Sequence, residues 1–153
     1  MMHDPVDQGL MSQLIGYHCR RAFVAVEPFS HERMAQYGLR PAEFAVLGLL
    51  HANPALSQKQ VAQGINVAPP NLAPILDRLE ARGLITRERD SADRRVHAFS
   101  LTPQGLSLCI SAEKTVLELE NEAAAGLTPE ERRQLIRLLQ RLYLPSEETG
   151  RAP

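Results

Sequence analysis

The segment from Ser57 to Leu101 constrains the fold more than any other part of the chain. It contains two short amphipathic helical patterns separated by the break GINVAPPN, followed by two strand-like runs, LITRER and VHAFSL. A capping-box pattern at Ser57-Gln58-Lys59-Gln60 begins the first helix, and Gly83 ends the second. Two short helices joined by a tight turn and followed by a β-hairpin predict a winged helix-turn-helix, whose second helix fits the major groove of DNA.

Helical patterns flank this segment on both sides. Before it, the apolar periodicity predicts a helix from about Leu10 to Pro28, a short helix from a Ser30 cap to Gly38, and a third beginning at Pro41. After it, Thr102 caps a long helix that reaches about Ala125. The fold class is therefore mainly α, with a small β wing of two to three strands.

The last helix begins at a second capping box, Thr128-Pro129-Glu130-Glu131. It is apolar over more than one stripe, which is more than a peripheral helix needs to pack on its own domain. We therefore expect the first and last helices to pack against a second copy of the chain in a two-fold homodimer.

The charge of the chain is unevenly distributed. The net charge of the 153 residues is −1, but the section from Ser57 to Arg95 carries seven basic and five acidic side chains. A locally basic surface on a nearly neutral chain is common in DNA-binding proteins. The N-terminus resembles no secretory signal, no apolar run is long enough to span a membrane, and Cys19 and Cys109 form no CxxC. These features favour a cytoplasmic protein without a disulfide framework.

Several motifs in this order resemble the MarR family of bacterial transcription regulators. The matching features are the helix-turn-helix, the D-R-L-E-x-R-G-L run at Asp77–Leu84, the D-R-R of the wing at Asp93–Arg95, and L-T-P-x-G at Leu101–Gly105. The order of helices over about residues 10–144 is similar too. The resemblance implies a homodimeric repressor of a pseudo-palindromic operator, released by an aromatic acid or another small anionic ligand, or by oxidation. We therefore divide the chain into five segments. Residues 1–9 and 145–153 are tails, and residues 10–38 are N-terminal helices that dimerise and line a ligand cleft. The DNA-binding domain covers residues 39–101, and C-terminal dimerisation helices cover residues 102–144.

The wing tip separates the two strands with six residues, four of them charged. The resemblance implies that Asp93 braces Arg95, that Arg95 enters the minor groove, and that Arg94 lies near a phosphate. Local ion pairs on a solvated turn are the alternative for these residues.

The N-terminal part of the second helix carries no basic side chain. It runs through Pro69, Pro70, Asn71 and Ala73, and Asn71 is the candidate for reading adenine, unless it is a cap or only binds water. We expect few direct base contacts and more dependence on the wing, the phosphates and DNA shape. The candidates for phosphate contacts are Gln58, Lys59 and Arg78, although Arg78 could instead pair with Asp77 or Glu80.

Candidate sensing residues lie on the first helix. Tyr17, His18 and Arg21 fall on one side and could bind a phenol and a carboxylate, or they could pack at the dimer interface. Cys19 lies where organic-hydroperoxide sensors of the family carry a reactive cysteine. Its apolar stripe favours structural packing, and redox sensing stays as the alternative. The five histidines show no ligand spacing such as HxxxH, so we expect neither a metal nor a cofactor.

Two other classes of function compete with a DNA-binding regulator. An enzyme is disfavoured because the chain has no HExxH, GxSxG, GxGxxG or P-loop motif. A winged-helix module for protein–protein contact is the second alternative, but such a module has no need for the arginines of the wing. Double-stranded DNA and a second copy of the chain are therefore the expected partners.

Overall fold

The computed structural model describes residues 6–89 and 97–144. This part of the chain is mainly helical with a small antiparallel sheet, which confirms the predicted fold class. A 3-10 helix over Gly9–Gln13 comes first. The α-helices are α1 Ile15–Ala35, α2 Pro41–Ala52, α3 Gln58–Gly64, α4 Pro69–Ala81, α5 Pro103–Ala123 and α6 Pro129–Tyr143, and the strands are β1 Leu56–Ser57, β2 Ile85–Arg89 and β3 His97–Leu101.

The three strands form one sheet in the order β1-β3-β2. The hairpin pairs Ile85 with Leu101 at its base and Arg89 with His97 at its outer end. Strand β1 contributes only two residues, and Leu56 pairs with Phe99. Two residues are too few to show the alternation that reveals a strand in a sequence, so the order of predicted elements lacked β1.

The chain divides into two compact units between Leu119 and Glu120. The core of the first unit is formed by apolar side chains of α2, α3, α4, the sheet and the first part of α5. Val46, Leu47, Val61, Leu72 and Leu79 are among its fully buried members. This core holds the two helices of the helix-turn-helix against α2 and β3.

Helix α1 corrects the predicted N-terminal helices. The sequence predicted two helices divided between Pro28 and Ser30, whereas one helix runs from Ile15 to Ala35. A proline removes one amide donor and disfavours helical geometry at the residue before it. A long helix nevertheless keeps its hydrogen bonds on both sides of the one that is missing. The turn after α1 contains Gly38 with φ +59°, a conformation that glycine adopts without the steric cost of a side chain.

Three of the predicted helix caps are confirmed, whereas the predicted cap at Ser30 was wrong because this residue lies inside α1. The Ser57 hydroxyl accepts a hydrogen bond from the Gln60 amide, and Thr128 does the same for Glu131. The Thr102 hydroxyl accepts from the Gly105 amide at 2.9 Å. Each cap satisfies an amide that the first turn of a helix leaves without an intrahelical partner.

The second unit contains the end of α5 and α6. No residue of α6 is buried in the single chain. Its exposed large apolar side chains are Leu135, Ile136, Leu138, Leu139, Leu142 and Tyr143. Among the described helices, none combines the length and the apolar character that crossing a membrane requires.

Candidate nucleic-acid interface

Helices α3 and α4 form the helix-turn-helix that the sequence predicted. The turn between them contains Asn66 with φ 52°, and the Val67 amide donates to the Ala62 carbonyl at 3.0 Å. Asparagine tolerates this left-handed conformation better than most residues do. The turn therefore fixes the direction in which α4 leaves α3.

Helix α4 has one face in the core and one face open to solvent. Leu72, Ile75, Leu76 and Leu79 are buried. At the N-terminal end, Pro69, Pro70 and Asn71 are exposed, and Ala73 is half-buried. The helix thus presents its first turn to solvent while the apolar side chains anchor the rest.

Asn71 has an uncommitted side chain at this exposed end. Ala68 is the N-cap of α4, and no side chain caps the helix. The Asn71 backbone amide donates to the Ala68 carbonyl at 2.9 Å, but its side chain makes no hydrogen bond to the described part of the chain. A capping role for Asn71 is therefore excluded, and its amide group is available to a partner outside the chain.

The start of α3 lies beside this end of α4. Lys59 is exposed and Gln58 half-buried at the first turn of α3. Lys59 lines a surface groove of about 380 Å³ together with Asn66, Val67 and Pro69. Lys59 of α3 and the N-terminus of α4 therefore border one groove.

Arg78 pairs with a residue that the sequence did not indicate. Its Nε donates to Oε1 of Glu43 in α2 at 2.9 Å, and neither Asp77 nor Glu80 is its partner, so that alternative was wrong. Glu43 is 4% exposed, and its Oε2 accepts a hydrogen bond from the Arg40 amide at 2.9 Å. The side chain of Arg78 remains 42% exposed. Arg78 therefore joins α4 to α2, and its contact with a phosphate stays a prediction.

The environment of Glu43 favours its ionised form. Burial alone raises the pKa of the Glu43 carboxyl. The hydrogen bonds from the Arg40 amide and the Arg78 guanidinium lower this pKa, as do the charges of Arg78 and Arg82, and together they outweigh burial. The net effect is a pKa below the ordinary value. The charge of Arg78 is thus partly engaged inside the domain.

Two further arginines hold α4 in place. Arg87 of β2 pairs with Asp77 at 2.8 Å and with Glu80 at 3.2 Å, and its guanidinium lies 5.2 Å from the centre of the Phe99 ring. Arg82 donates to the carbonyls of Tyr37 and Gly38 at 3.0 and 2.6 Å. The motif at Asp77–Leu84 supplied three of these residues in the sequence, but only the structure shows their partners. The basic charge of the domain is therefore used partly to fix the recognition helix.

The outer end of the wing lies beyond the described residues. Strands β2 and β3 are described up to Arg89 and from His97. Asp93, Arg94 and Arg95 fall in the interval 90–96, so their predicted contacts stay predictions.

The predicted ligand residues of α1 form a cluster on the surface. The Tyr17 hydroxyl hydrogen-bonds the side chain of Gln8, and Arg21 Nη1 donates to that hydroxyl at 3.0 Å. The ring of His18 lies edge-on to Tyr17, with centroids 5.5 Å apart, and its Nε2 is 2.8 Å from the Ser12 carbonyl. Tyr17 and Arg21 are thus brought together as predicted, whereas His18 is engaged with the preceding 3-10 helix.

The two cysteines have opposite environments. Cys19 is exposed in the single chain, and Cys109 is buried. The structural packing expected for Cys19 is absent within the described part of this chain. Burial, followed by the charge of Glu113 and a hydrogen bond to it, raises the pKa of the Cys109 thiol to about 12.

Comparison with known proteins gives the family of the chain. The model of the MarR family matches residues 39–97. A putative transcriptional regulatory protein for the hcr operon of Thauera aromatica is 32% identical over 142 residues, which cover 92% of this chain and 86% of that protein.

Solved structures agree with this relationship. The transcriptional repressor CouR bound to a 23-mer DNA duplex has a TM-score of 0.84 and 34% identity, over 92% of this chain and 100% of that one. A second structure of CouR contains p-coumaroyl-CoA. BpsR of Bordetella bronchiseptica, whose DNA binding is regulated by 6-hydroxynicotinic acid, has a TM-score of 0.81 and 26% identity, over 94% of this chain and 100% of that one. The helix-turn-helix, the paired wing strands and these similarities together establish that the chain belongs to the MarR family of transcriptional regulators, which are not enzymes.

Proposed function

We propose that this regulator is a homodimeric repressor that binds a pseudo-palindromic operator and is released by a small aromatic or other anionic ligand. The observation that carries the DNA-binding part is the exposed first turn of α4. There Asn71 has no side-chain partner among the described residues, while the rest of the helix is anchored by its apolar face and by Arg78, Arg82 and Arg87. A rigid helix with a free polar end is what reading a major groove requires.

The remaining contacts follow from the positions of the charged residues. Asn71 would pair with adenine N6 and N7, and Lys59 and Gln58 would contact the phosphates beside it. Arg95 would enter the minor groove with Asp93 as its brace, and Arg94 would reach a phosphate. Because Asn71 is the main polar group at the tip of α4, we expect DNA shape to supply much of the specificity.

The dimer is supported by the exposed apolar side chains. All the large apolar side chains of α6 are exposed in the single chain, and Leu10, Leu14, Ile15 and Phe23 of the N-terminal part are exposed as well. Monomeric proteins rarely leave all the large apolar side chains of a helix exposed, as α6 does here. A two-fold dimer through these helices would bury it and would place two copies of α4 on half-sites about one helical turn apart.

The ligand proposal rests on Tyr17, Arg21 and their neighbour His18. A guanidinium held by a phenol hydroxyl offers a donor for a carboxylate and an aromatic face beside it. The relatives that bind p-coumaroyl-CoA and respond to 6-hydroxynicotinic acid support an aromatic anion as the ligand class. A protein that acts on chromosomal DNA in this way works in the cytoplasm.

The exposure of Cys19 supports a second candidate, a repressor released by organic hydroperoxide. Arg20 and Arg21 follow it directly in the sequence, and cationic neighbours favour a thiolate. We expect hydroperoxide to leave DNA binding unchanged. Release of the wild type together with retention of the Cys19→Ser variant would favour the redox mechanism instead.

The proposal is tested by fluorescence anisotropy with the DNA upstream of the protein's own gene and a scrambled duplex, across a salt series. We expect specific binding. The logarithm of its association constant should fall linearly with the logarithm of the salt concentration, with a slope of about −0.9 for each phosphate contact. Asn71→Ala should weaken binding to the operator by about 1–3 kcal/mol and leave the scrambled duplex unaffected. Arg95→Ala should weaken both strongly.

Lys59→Ala should weaken both duplexes and reduce the salt slope by about one. Lys114→Ala, which removes an exposed lysine of α5, is the control and should change neither. A folded dimer that binds neither duplex would contradict the proposal and would indicate a protein partner. Aromatic carboxylic acids are then screened for release of the wild type but not of Arg21→Ala.

A further inference from the structure

Three side chains with metal-binding atoms meet between α2 and α5. His51 is in the last turn of α2, and Cys109 and Glu113 are one turn apart on α5. His51 Nδ1 is 2.9 Å from Glu113 Oε1, and Cys109 Sγ is 3.4 Å from the same oxygen. The three donor atoms all lie within 4.8 Å of one another. The spacing of histidines along the chain indicated no metal site, because these ligands come from helices that are far apart in the sequence.

The donor set and its geometry suit a transition-metal ion. Zinc binds imidazole nitrogen, thiolate sulfur and carboxylate oxygen at about 2.0–2.3 Å, so tetrahedral donors around it are roughly 3.3–3.7 Å apart. Of the two shortest separations here, 3.4 Å falls within that spacing and 2.9 Å lies slightly below it, and no two of the three donor atoms are more than 4.8 Å apart. A nitrogen, a sulfur and an oxygen also select against magnesium and calcium, which prefer oxygen ligands alone.

The surroundings fit an ion that keeps one open position. Cys109 is fully buried in the apolar core, whereas the side chains of His51 and Glu113 are 36% and 34% exposed. An ion held by these three residues would therefore face the core on its sulfur side and water on the other. Water would complete a four-coordinate site.

We propose that His51, Cys109 and Glu113 form a three-ligand site for a zinc-like divalent transition-metal ion. On binding, the Cys109 thiol gives its proton to solvent, and the metal–sulfur bond replaces the hydrogen bond from the thiol to Glu113. The ion joins the helix that leads into β1 and α3 to the helix that follows β3. It therefore stabilises the frame that holds the helix-turn-helix and does not depend on the ligand cluster of α1.

The test is a cobalt(II) titration of the untagged, reduced, chelator-treated full chain carrying Cys19→Ser, which removes the exposed thiol. We expect one cobalt ion per chain, with the near-ultraviolet charge-transfer absorption of a cobalt–thiolate bond and with displacement of that signal by zinc(II). Cys109→Ala should abolish the charge-transfer band. His51→Ala and Glu113→Gln should each weaken cobalt binding by at least about tenfold.

Glu118→Gln, which alters an exposed carboxylate of α5 outside the cluster, is the matched control and should bind cobalt like its parent. Circular dichroism of each variant checks the fold. If Cys109→Ala does not fold, the cobalt affinities of His51→Ala and Glu113→Gln test the proposal. Absence of the thiolate band in Cys19→Ser, or unchanged cobalt affinity in both His51→Ala and Glu113→Gln, would overturn the proposal.

Discussion

The ion pair between Arg78 and Glu43 has a measurable effect on stability. In Arg78→Ala the Glu43 carboxylate stays buried and keeps only the hydrogen bond from the Arg40 amide. Breaking a fully buried pair costs about 3–5 kcal/mol. Because the Arg78 side chain is 42% exposed, water can enter its place, and we expect a smaller loss of about 2 kcal/mol. For a chain of this length, that loss corresponds to a decrease in Tm of about 4–8 °C.

The sign of the pH dependence follows from the same contacts. The folded protein holds the pKa of Glu43 below its ordinary value of 4.5. The pair therefore contributes stability above the unfolded pKa, and the contribution is lost as pH falls through the lowered folded pKa. In Arg78→Ala the lowering by Arg78 is lost, so the folded-state pKa of Glu43 is higher than in the wild type. The difference in stability between wild type and variant should thus be full at pH 7 and shrink as pH falls toward 4.

Urea unfolding followed by circular dichroism, at one protein concentration and at several pH values, measures this difference. Lys114→Ala is the control for removing an exposed cation. The double variant Glu43→Leu/Arg78→Met should recover most of the loss, since apolar residues of similar size often replace a buried pair without cost. Equal stability of Arg78→Ala and wild type at pH 7 would refute the reasoning, as would a deficit that persists unchanged at low pH.

Three further outcomes are expected. Leu139→Glu should convert the dimer to a monomer on a sizing column, because each interface would bury two unpaired carboxylates, and a surviving dimer would exclude Leu139 from it. In metal-free protein at pH 8, iodoacetamide should label Cys109 only after denaturation, because burial in the native fold raises its thiol pKa to about 12; mass spectrometry identifies the labelled thiol, and native labelling of Cys109 would contradict its burial. Arg87→Met should lower the free energy of unfolding by only about 1 kcal/mol in urea titrations, because its ion pairs with Asp77 and Glu80 are partly exposed; a loss of several kcal/mol would show that these pairs are stronger than their exposure indicates.

The helix-turn-helix was predictable because its signals are local. The capping box at Ser57, the break before Pro69 and the stop at Gly83 each act within a few residues of their position in the sequence. The same is true of Thr102 and Thr128, whose capping hydrogen bonds the structure confirms. Local hydrogen bonding thus accounts for most of the element boundaries that the sequence gives correctly.

The missed features depend on contacts that are distant in the sequence. Glu43 and Arg78 are 35 residues apart, and nothing in the spacing of α2 and α4 selects Glu43 over the nearby Asp77 and Glu80. Strand β1 exists only because β3 offers it an edge. Helix α1 continues past Pro28, where local propensity predicted a break. In each case the observed structure depends on tertiary contacts or on the length of the element, and a short window of sequence contains neither.

Gly105 shows how a motif can be visible in a sequence while its cause is not. A Cβ placed on Gly105 would lie 1.8 Å from the carbonyl oxygen of Leu84 and 2.8 Å from its carbonyl carbon. The first turn of α5 therefore approaches the backbone before β2 more closely than any side chain allows, and the Thr102 amide bonds the same Leu84 oxygen at 3.1 Å. Gly105→Ala must displace α5 or break this junction, and we expect a loss of about 3 kcal/mol or more in urea unfolding. Gly48→Ala in α2, where a Cβ meets nothing within 4 Å, is the matched control and should stabilise the chain by up to about 1 kcal/mol. If both variants are equally stable in urea, the close approach does not explain why position 105 is glycine. If only Gly105→Ala unfolds at a lower urea concentration, contact between α5 and the wing junction is the reason that the L-T-P-x-G motif ends in glycine.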